Sequence, residues 1–251
     1  LWLPESLDFL LARRPANALA RINRLARGLG QPALAQMPAP VLKEPGAASG
    51  FGQLLAPAMR HTTLLIWLLF FLVMFGFYFV MSWTPKLLVA AGLSAQQGIT
   101  GGVLLSVGGI FGAALIGGLA SRWPLTRVLS LFMLITAGLL VLFVGSGSSI
   151  AAALGLGLLI GLFSNGCVAG LYALSPVVYD ASVRATGVGW GIGIGRIGAI
   201  LSPTVAGFLL DGGRQPLHLY GVFASVFVMA AGCLLLLKPP KVEARPALAS
   251  A

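Results

Sequence analysis

The chain has 251 residues, of which 58% are hydrophobic and 9% charged. A soluble domain keeps about a quarter of its residues charged, so this composition excludes an ordinary globular protein and points to lipid. The net charge of +10 would suit a nucleic-acid binder, but the basic residues lie in short loops and tails, with no aromatic-basic surface or nucleic-acid motif; nucleic acid is excluded as a partner.

In chain order, residues 1–62 are expected to form a loop segment with one amphipathic helix and a linker. Over 15–29, Leu19, Ile22, Leu25 and Leu29 recur at helical spacing while Arg21, Arg24 and Arg27 occupy the polar side. Two fates are open to such a helix: an anionic membrane surface, or solvent. Residues 31–57, rich in Ala, Pro and Gly, read as a linker without a core.

Six apolar stretches then follow, approximately 64–83, 99–120, 126–144, 150–174, 187–210 and 218–237. Each is close to the roughly 20 residues a membrane helix needs, and none alternates with the period of a β-barrel strand. The expected fold is an all-α membrane protein with a six-helix bundle over 63–238 and a tail over 239–251. Turn chemistry separates the spans: Thr84-Pro85-Lys86, Ser121-Arg122-Trp123-Pro124, Gly145-Ser146-Gly147-Ser148 and Asp211-Gly212-Gly213-Arg214. Arg13, Arg14, Arg21, Arg24, Arg27, Lys43, Arg60, Arg122, Arg127, Arg184, Lys238, Lys241 and Arg245 fall on one side, against Lys86 and Arg214 on the other. Basic loops favour the cytoplasm, which places both termini inside.

A shift of 86 residues lays the second span on the fifth: Gly109, Gly112, Ala113 and Leu115 meet Gly195, Gly198, Ala199 and Leu201. The first span lands on the fourth, and the third approximately on the sixth. Units with three spans each must face opposite ways, which is the inverted repeat of several carrier folds. Gly187, Gly191, Gly195 and Gly198 leave a helix face without side chains, where a neighbour can approach closely. Gly193 to Gly198 also spells GxGxxG, but it has no preceding strand and no acid at the required distance, so no dinucleotide or other cofactor is expected. Pro203 should bend this helix. Cys167 and Cys233 stand apart and read as small buried residues rather than a disulfide or metal pair.

The repeat partner of Arg196 is Ile110, so its charge is not required for packing. Nine residues from Gly187 put Arg196 roughly 13 Å into the span, near the bilayer centre. A charge there costs roughly 3 kcal/mol on the most lenient scale and marks a functional position. Three roles are open to it: binding a substrate carboxylate, pairing with an acid on another helix, or tying helix-end carbonyls. No Asp or Glu lies at the centre of any span, so an acid partner or proton carrier must come from outside these helices.

Trp67, Phe71, Phe75 and Tyr78 share one face of the first span, either as a cavity wall or as a core or lipid stripe. Trp83, at the span edge, reads as an interface anchor. Asn165 could line a cavity or bond between helices. Asp180 and Arg184, four apart, form a local pair or a gate latch.

The stretch Tyr179 to Pro203, with Arg184-Ala185-Thr186-Gly187-Val188-Gly189-Trp190 and Gly195-Arg196-Ile197-Gly198-Ala199, resembles the eleventh-helix region of major facilitator superfamily transporters. Within that superfamily it is most similar to the aromatic acid:proton symporters. Leu3-Pro4-Glu5-Ser6-Leu7 resembles the family's start of the central cytoplasmic loop. The resemblance implies helices seven to twelve of a carrier in a bacterial inner membrane. Its partners would be an organic anion, protons, the bilayer and an amino-terminal six-helix half that carries the membrane acids. The loop between the second and third spans keeps Gly118 and Arg122 of the family's gating pattern but has Ser121 where an Asp is typical, and Asp180 stands where proline is common. The rival expectation is an autonomous six-span protein, an assembling half-carrier or a channel; an enzyme would need in-span acids, histidines or metal ligands.

Overall fold

The computed structural model describes residues 10–11, 14–28, 30–37, 50–90, 92–145, 150–180, 183–215 and 218–237. The chain divides into two compact units, residues 1–49 with 241–251, and residues 50–240. In the first, helix α1 spans Ala18–Gly28. Ala18, Ile22 and Ala26 are its buried line, while Arg21, Arg24 and Arg27 are exposed. Its end is capped by Gly30 at φ +67°, with Gly30 N–H donating to Arg27 O and Gln31 N–H to Ala26 O. Asn23 then pins the returning chain, donating to Leu34 O at 3.0 Å and accepting from Leu34 N–H at 2.8 Å. Leu29, expected on the apolar face, lies outside the described residues, as do 38–49 of the linker and the tail.

The second unit opens with a short helix, α2 (Phe51–Leu54), inside the stretch read as linker. Six long apolar helices follow: α3 (Arg60–Ala90), α4 (Ala95–Ala120), α5 (Leu125–Gly145), α6 (Ile150–Val178), α7 (Arg184–Asp211) and α8 (His218–Leu236). Each is long and apolar enough to cross a membrane, and no strand occurs among the described residues. This is the all-helical, six-span architecture expected from the sequence.

One expected turn is absent. Helix α3 does not stop at Thr84-Pro85-Lys86 but continues through Pro85 to Ala90. The apolar residues after the proline decide this, because Leu87 and Leu88 are buried and extend the packed face. Proline's missing N–H is a single lost bond, which tertiary packing in an apolar helix can offset. The real stop is Gly92, at φ +100°, where Gly92 N–H donates to Val89 O and Leu93 N–H to Leu88 O. That is the paired bonding of a glycine C-terminal cap. Two residues later Ser94 and Gln97 cap each other reciprocally at the start of α4. Gly213 at φ +81° ends α7 by the same glycine device. Helix α7 runs unbroken through Pro203.

Glycine sets which helices touch. Added Cβ atoms at Gly108 and Gly112 of α4 would collide with the carbonyls of Leu158 and Leu162 of α6, and one at Gly161 with Leu105 O. On the other side of the bundle, a Cβ at Gly198 of α7 would sit 2.5 Å from Phe71 O of α3. In both pairs residue numbers advance together, so the paired helices are parallel. By contrast Gly166 and Gly170 of α6 face Phe132 and Leu129 of α5, an antiparallel pair.

The leading pairs are α4 with α6, α3 with α7, and α5 with α8. Exchanging α3 with α6, α4 with α7 and α5 with α8 returns the same set of pairs, which is the inverted repeat in three dimensions. An aromatic cluster ties three helices together toward the end where α5 finishes and α8 begins. Phe79 stacks on Phe223 at 3.7 Å, Phe75 stacks on Phe223 at 5.1 Å, and Phe143 leans on Tyr220 at 4.7 Å, joining α3, α5 and α8. Buried Tyr220 satisfies its hydroxyl by donating to Thr84 Oγ1 at 3.0 Å. Cys167 is buried and free, and Cys233 is free and half-buried.

Replacing Gly112 with alanine forces α4 and α6 apart. The expected loss is about 1–3 kcal/mol, the usual scale of overpacking, seen as a lower thermal midpoint of the purified protein. Gly117→Ala is the control, because a Cβ there meets nothing within 4 Å. Equal midpoints for the two variants would contradict the crossing.

Candidate functional site

Arg196 lies 12 residues beyond Arg184, the first residue of α7, or about 18 Å along its axis. Its neighbours Gly195 and Gly198 are the positions that press against α3: a Cβ at Gly195 would meet Met74 Cγ at 3.0 Å and Phe70 O at 3.3 Å. With the two backbones this close, the guanidinium reaches across. Arg196 Nη1 donates to Tyr78 Oη at 2.9 Å, a bond between residues 118 apart in sequence. The side chain is exposed on the surface of the six-helix unit, and no acid is bonded to it among the described residues. It is neither buried between helices nor withdrawn toward a helix end.

The aromatic face of α3 does not form one wall around this point. Tyr78 turns to Arg196 and meets Phe77 edge-on at 5.6 Å. Phe71 stacks on Phe75 at 5.8 Å, and Phe75 continues into the core stack with Phe223. Trp67 joins a separate cluster with Phe51 of α2 and Trp190 of α7, with centroids at 6.1 and 6.0 Å. Its indole N–H has no hydrogen-bond partner among the described residues, nor have the buried hydroxyls of Thr63, Tyr179 and Ser202. Burial pushes the Tyr179 phenol above its ordinary range, and the nearby Thr63 hydroxyl acts in the opposite sense without reaching hydrogen-bond geometry. The signal for the Trp67 cluster lay in the tryptophans at 67 and 190, but no spacing rule links residues so far apart.

Asn165 sits midway along α6, half-buried, and lies over Gly109 of α4: a Cβ there would be 2.5 Å from Asn165 Nδ2. The repeat shift carries Gly109 onto Gly195 and Asn165 onto position 79, next to Tyr78. That position is Phe79, and Gly195 is met by Met74 and Phe70 instead, so the polar contact at Gly109 has no counterpart in the other unit; Asn165 and Arg196 make no hydrogen bond with each other.

The remaining candidates lie away from this level. Gly187 receives the Tyr179 ring and Gly191 the Phe70 ring, at 2.7 and 2.8 Å from an added Cβ. Arg184 Nε donates to Tyr179 O at 3.4 Å. Gly118, in the last turn of α4, and Arg122, just past its end, are exposed, and Ser121 Oγ donates to Gly118 O at 2.7 Å. Gly118 has open space where a Cβ would be, so packing within this unit does not require glycine there. No group of three or more metal-ligating residues occurs among the described residues. A central, exposed guanidinium tethered by a phenol can recognise an anion.

Residues 66–251 match the Major Facilitator Superfamily. The chain belongs to that superfamily. It is 32% identical over 194 residues to a 3-(3-hydroxy-phenyl)propionate transporter of Escherichia coli (strain K12), covering 77% of the chain and 48% of that protein. It is 31% identical over 253 residues to a gallate transporter of Pseudomonas putida, 99% of the chain and 56% of that protein. The 4-hydroxybenzoate transporter PcaK of Pseudomonas putida is 31% identical over 205 residues, 80% of the chain and 45% of its own length. The chain thus spans about half the length of the relatives it matches, and those relatives are transporters, not enzymes.

The exposure of Arg196 has a direct check. With Cys167 and Cys233 replaced, Arg196→Cys should react rapidly with a charged methanethiosulfonate reagent in membranes. Leu235→Cys, on an exposed apolar position of α8, should not. Equal protection of both sites would mean that Arg196 faces lipid.

Proposed function

We propose that the chain is the carboxyl-terminal half of a proton-coupled carrier for aromatic carboxylates, with Arg196 as the anion anchor. The observation that carries this reading is an exposed guanidinium at mid-span, bonded to a tyrosine hydroxyl. A lone cation facing hydrocarbon is costly, so the surface around Arg196 must meet water, an anion or polar protein. Helices α4 and α7 are the least buried of the six and are exchanged by the repeat, so their open faces are the candidate surfaces for a covering partner. An amino-terminal six-helix bundle closing over it would create a wet crevice with Arg196 in its wall. The shorter coverage of the longer relatives supports such a missing half.

The relatives named for hydroxyphenylpropionate, gallate and 4-hydroxybenzoate share a carboxylate on an aromatic body, which suits a guanidinium beside aromatic rings. Tyr78 and Asn165 are the polar wall candidates, with Phe71 and Phe75 bracing α3 behind them through their stack. Gly187, Gly191, Gly195 and Gly198 allow α7 to move as a body against α3. Gly118, Arg122, Asp180 and Arg184 lie at the end proposed to face the cytoplasm, where both termini lie and where a gate would close. The setting is a bacterial inner membrane. The coupling proton needs an acid, and the six spans hold none at their centres, so this reading assigns the carrier to the other half.

Uptake of labelled 4-hydroxybenzoate into cells making the full-length protein tests the reading. Arg196→Gln should abolish saturable uptake, and Arg196→Lys, which keeps charge but loses the planar fork, should lower it at least tenfold. A protonophore should abolish accumulation above the external concentration. Normal uptake by both variants would remove Arg196 from anion recognition, and accumulation that persists with the protonophore would remove the coupling.

A further inference from the structure

The Arg196–Tyr78 bond has a direction, and the direction has a chemical consequence. A guanidinium is a donor only; it has no lone pair to offer. In the 2.9 Å contact Tyr78 Oη must therefore be the acceptor, and its own hydrogen is free to point elsewhere. Among the described residues no acceptor takes that hydrogen. Accepting from a cation also polarises the phenol and strengthens it as a donor, because hydrogen bonds in a chain reinforce one another. The remaining guanidinium N–H groups and the phenolic O–H then form a set of donors with no fixed acceptor, on an exposed surface at mid-span.

We infer that Tyr78 is a specificity-determining residue: its hydroxyl both orients the Arg196 guanidinium and donates directly to the second oxygen of a substrate carboxylate. This deepens the proposed function and rests on it. The two-donor arrangement selects for a group with two acceptor oxygens. A carboxylate accepts from both Arg196 and Tyr78. A carboxamide presents one oxygen and an NH2, and the NH2 would face a donor. The anchor therefore reads the acid group itself, independently of the ring that carries it. The tether also limits the rotamers of a long side chain, so the guanidinium is held in place before the anion arrives.

The glycines explain why the pair is built here. Gly195 and Gly198 bring α7 onto α3 on both sides of Arg196, and Tyr78 stands two turns above Phe71, whose carbonyl Gly198 touches. Leucine or valine at either glycine would push the guanidinium away from the phenol.

The test is Tyr78→Phe in the full-length protein, which keeps the ring and its edge contact with Phe77 but removes the oxygen. A hydrogen bond to a charged group carries a roughly tenfold effect, so the Michaelis constant for labelled benzoate should rise about tenfold with maximal rate within twofold. Competition by unlabelled benzoate and benzamide supplies the decisive readout. Tyr78→Phe should weaken inhibition by benzoate and leave that by benzamide unchanged, narrowing the preference for the acid. Surface expression and the thermal midpoint, measured alongside, identify a folding defect, and Tyr78→His, which restores a donor, should then recover part of the acid preference. An unchanged benzoate-to-benzamide ratio in both variants overturns the inference. If Arg196→Gln has no effect on benzoate, the underlying anion-anchor reading fails instead.

Discussion

Backbone-to-backbone contact at glycine is the constraint on which this bundle depends. In lipid, apolar side chains gain little by leaving one hydrocarbon environment for another, so helix pairs are held by close packing rather than by the hydrophobic effect. The crossings of α4 on α6 and α3 on α7 are both of this kind, with carbonyls occupying the space a Cβ would need. At the second crossing the same closeness does chemical work. It brings α7 near enough to α3 for a guanidinium to hydrogen-bond with a phenol across the seam.

The repeat makes the site conspicuous by symmetry. Gly109 and Gly112 in α4 correspond to Gly195 and Gly198 in α7, and both pairs face a parallel neighbour. Between the members of each pair the sequences diverge, with Ile110 in one unit and Arg196 in the other. Ile110 is among the most exposed apolar residues of those described, at 71%, and Arg196 is exposed as well. Both positions therefore point out of the six-helix unit, at equivalent places in the repeat. One carries an apolar side chain and the other a charge, so the repeat is symmetric in its packing and asymmetric in its chemistry.

Much of the fold was legible because membrane helices announce themselves by length and composition. All six spans fall close to their expected positions, and the repeat could be read from Gly109 and Gly112 against Gly195 and Gly198. Pro85 misled because turn chemistry is a local signal, whereas Leu87 and Leu88 beyond it are held by packing. The capping residues Ser94 and Gln97 did carry the true boundary, in the spacing of a reciprocal cap. The site was only partly legible. Arg196 stood out by its cost. Tyr78 was visible only as one of four aromatic residues at helical spacing, and periodicity cannot say which neighbour each one meets. In the fold those four go three ways: Trp67 to Phe51 and Trp190, Phe71 and Phe75 toward the core, and Tyr78 to Arg196.

That separation bears on how an aromatic acid would be held. The rings of Phe75, Phe79 and Phe223 are consumed by one another in a continuous stack, so they stabilise the bundle and leave little open face for a ligand. The ring of an incoming acid must find its apolar surroundings elsewhere, on the exposed sides of α4 and α7 or on whatever covers them. Ile197 and Ile200 flank Arg196 on α7, at 52% and 71% exposure, and Ile110 and Phe111 lie at the corresponding level of α4. On α7 itself the apolar surface beside Arg196 is thus aliphatic, while α4 offers the ring of Phe111. On the proposed reading, shape complementarity to the ring would come chiefly from the half that covers this face, while Arg196 would read the carboxylate.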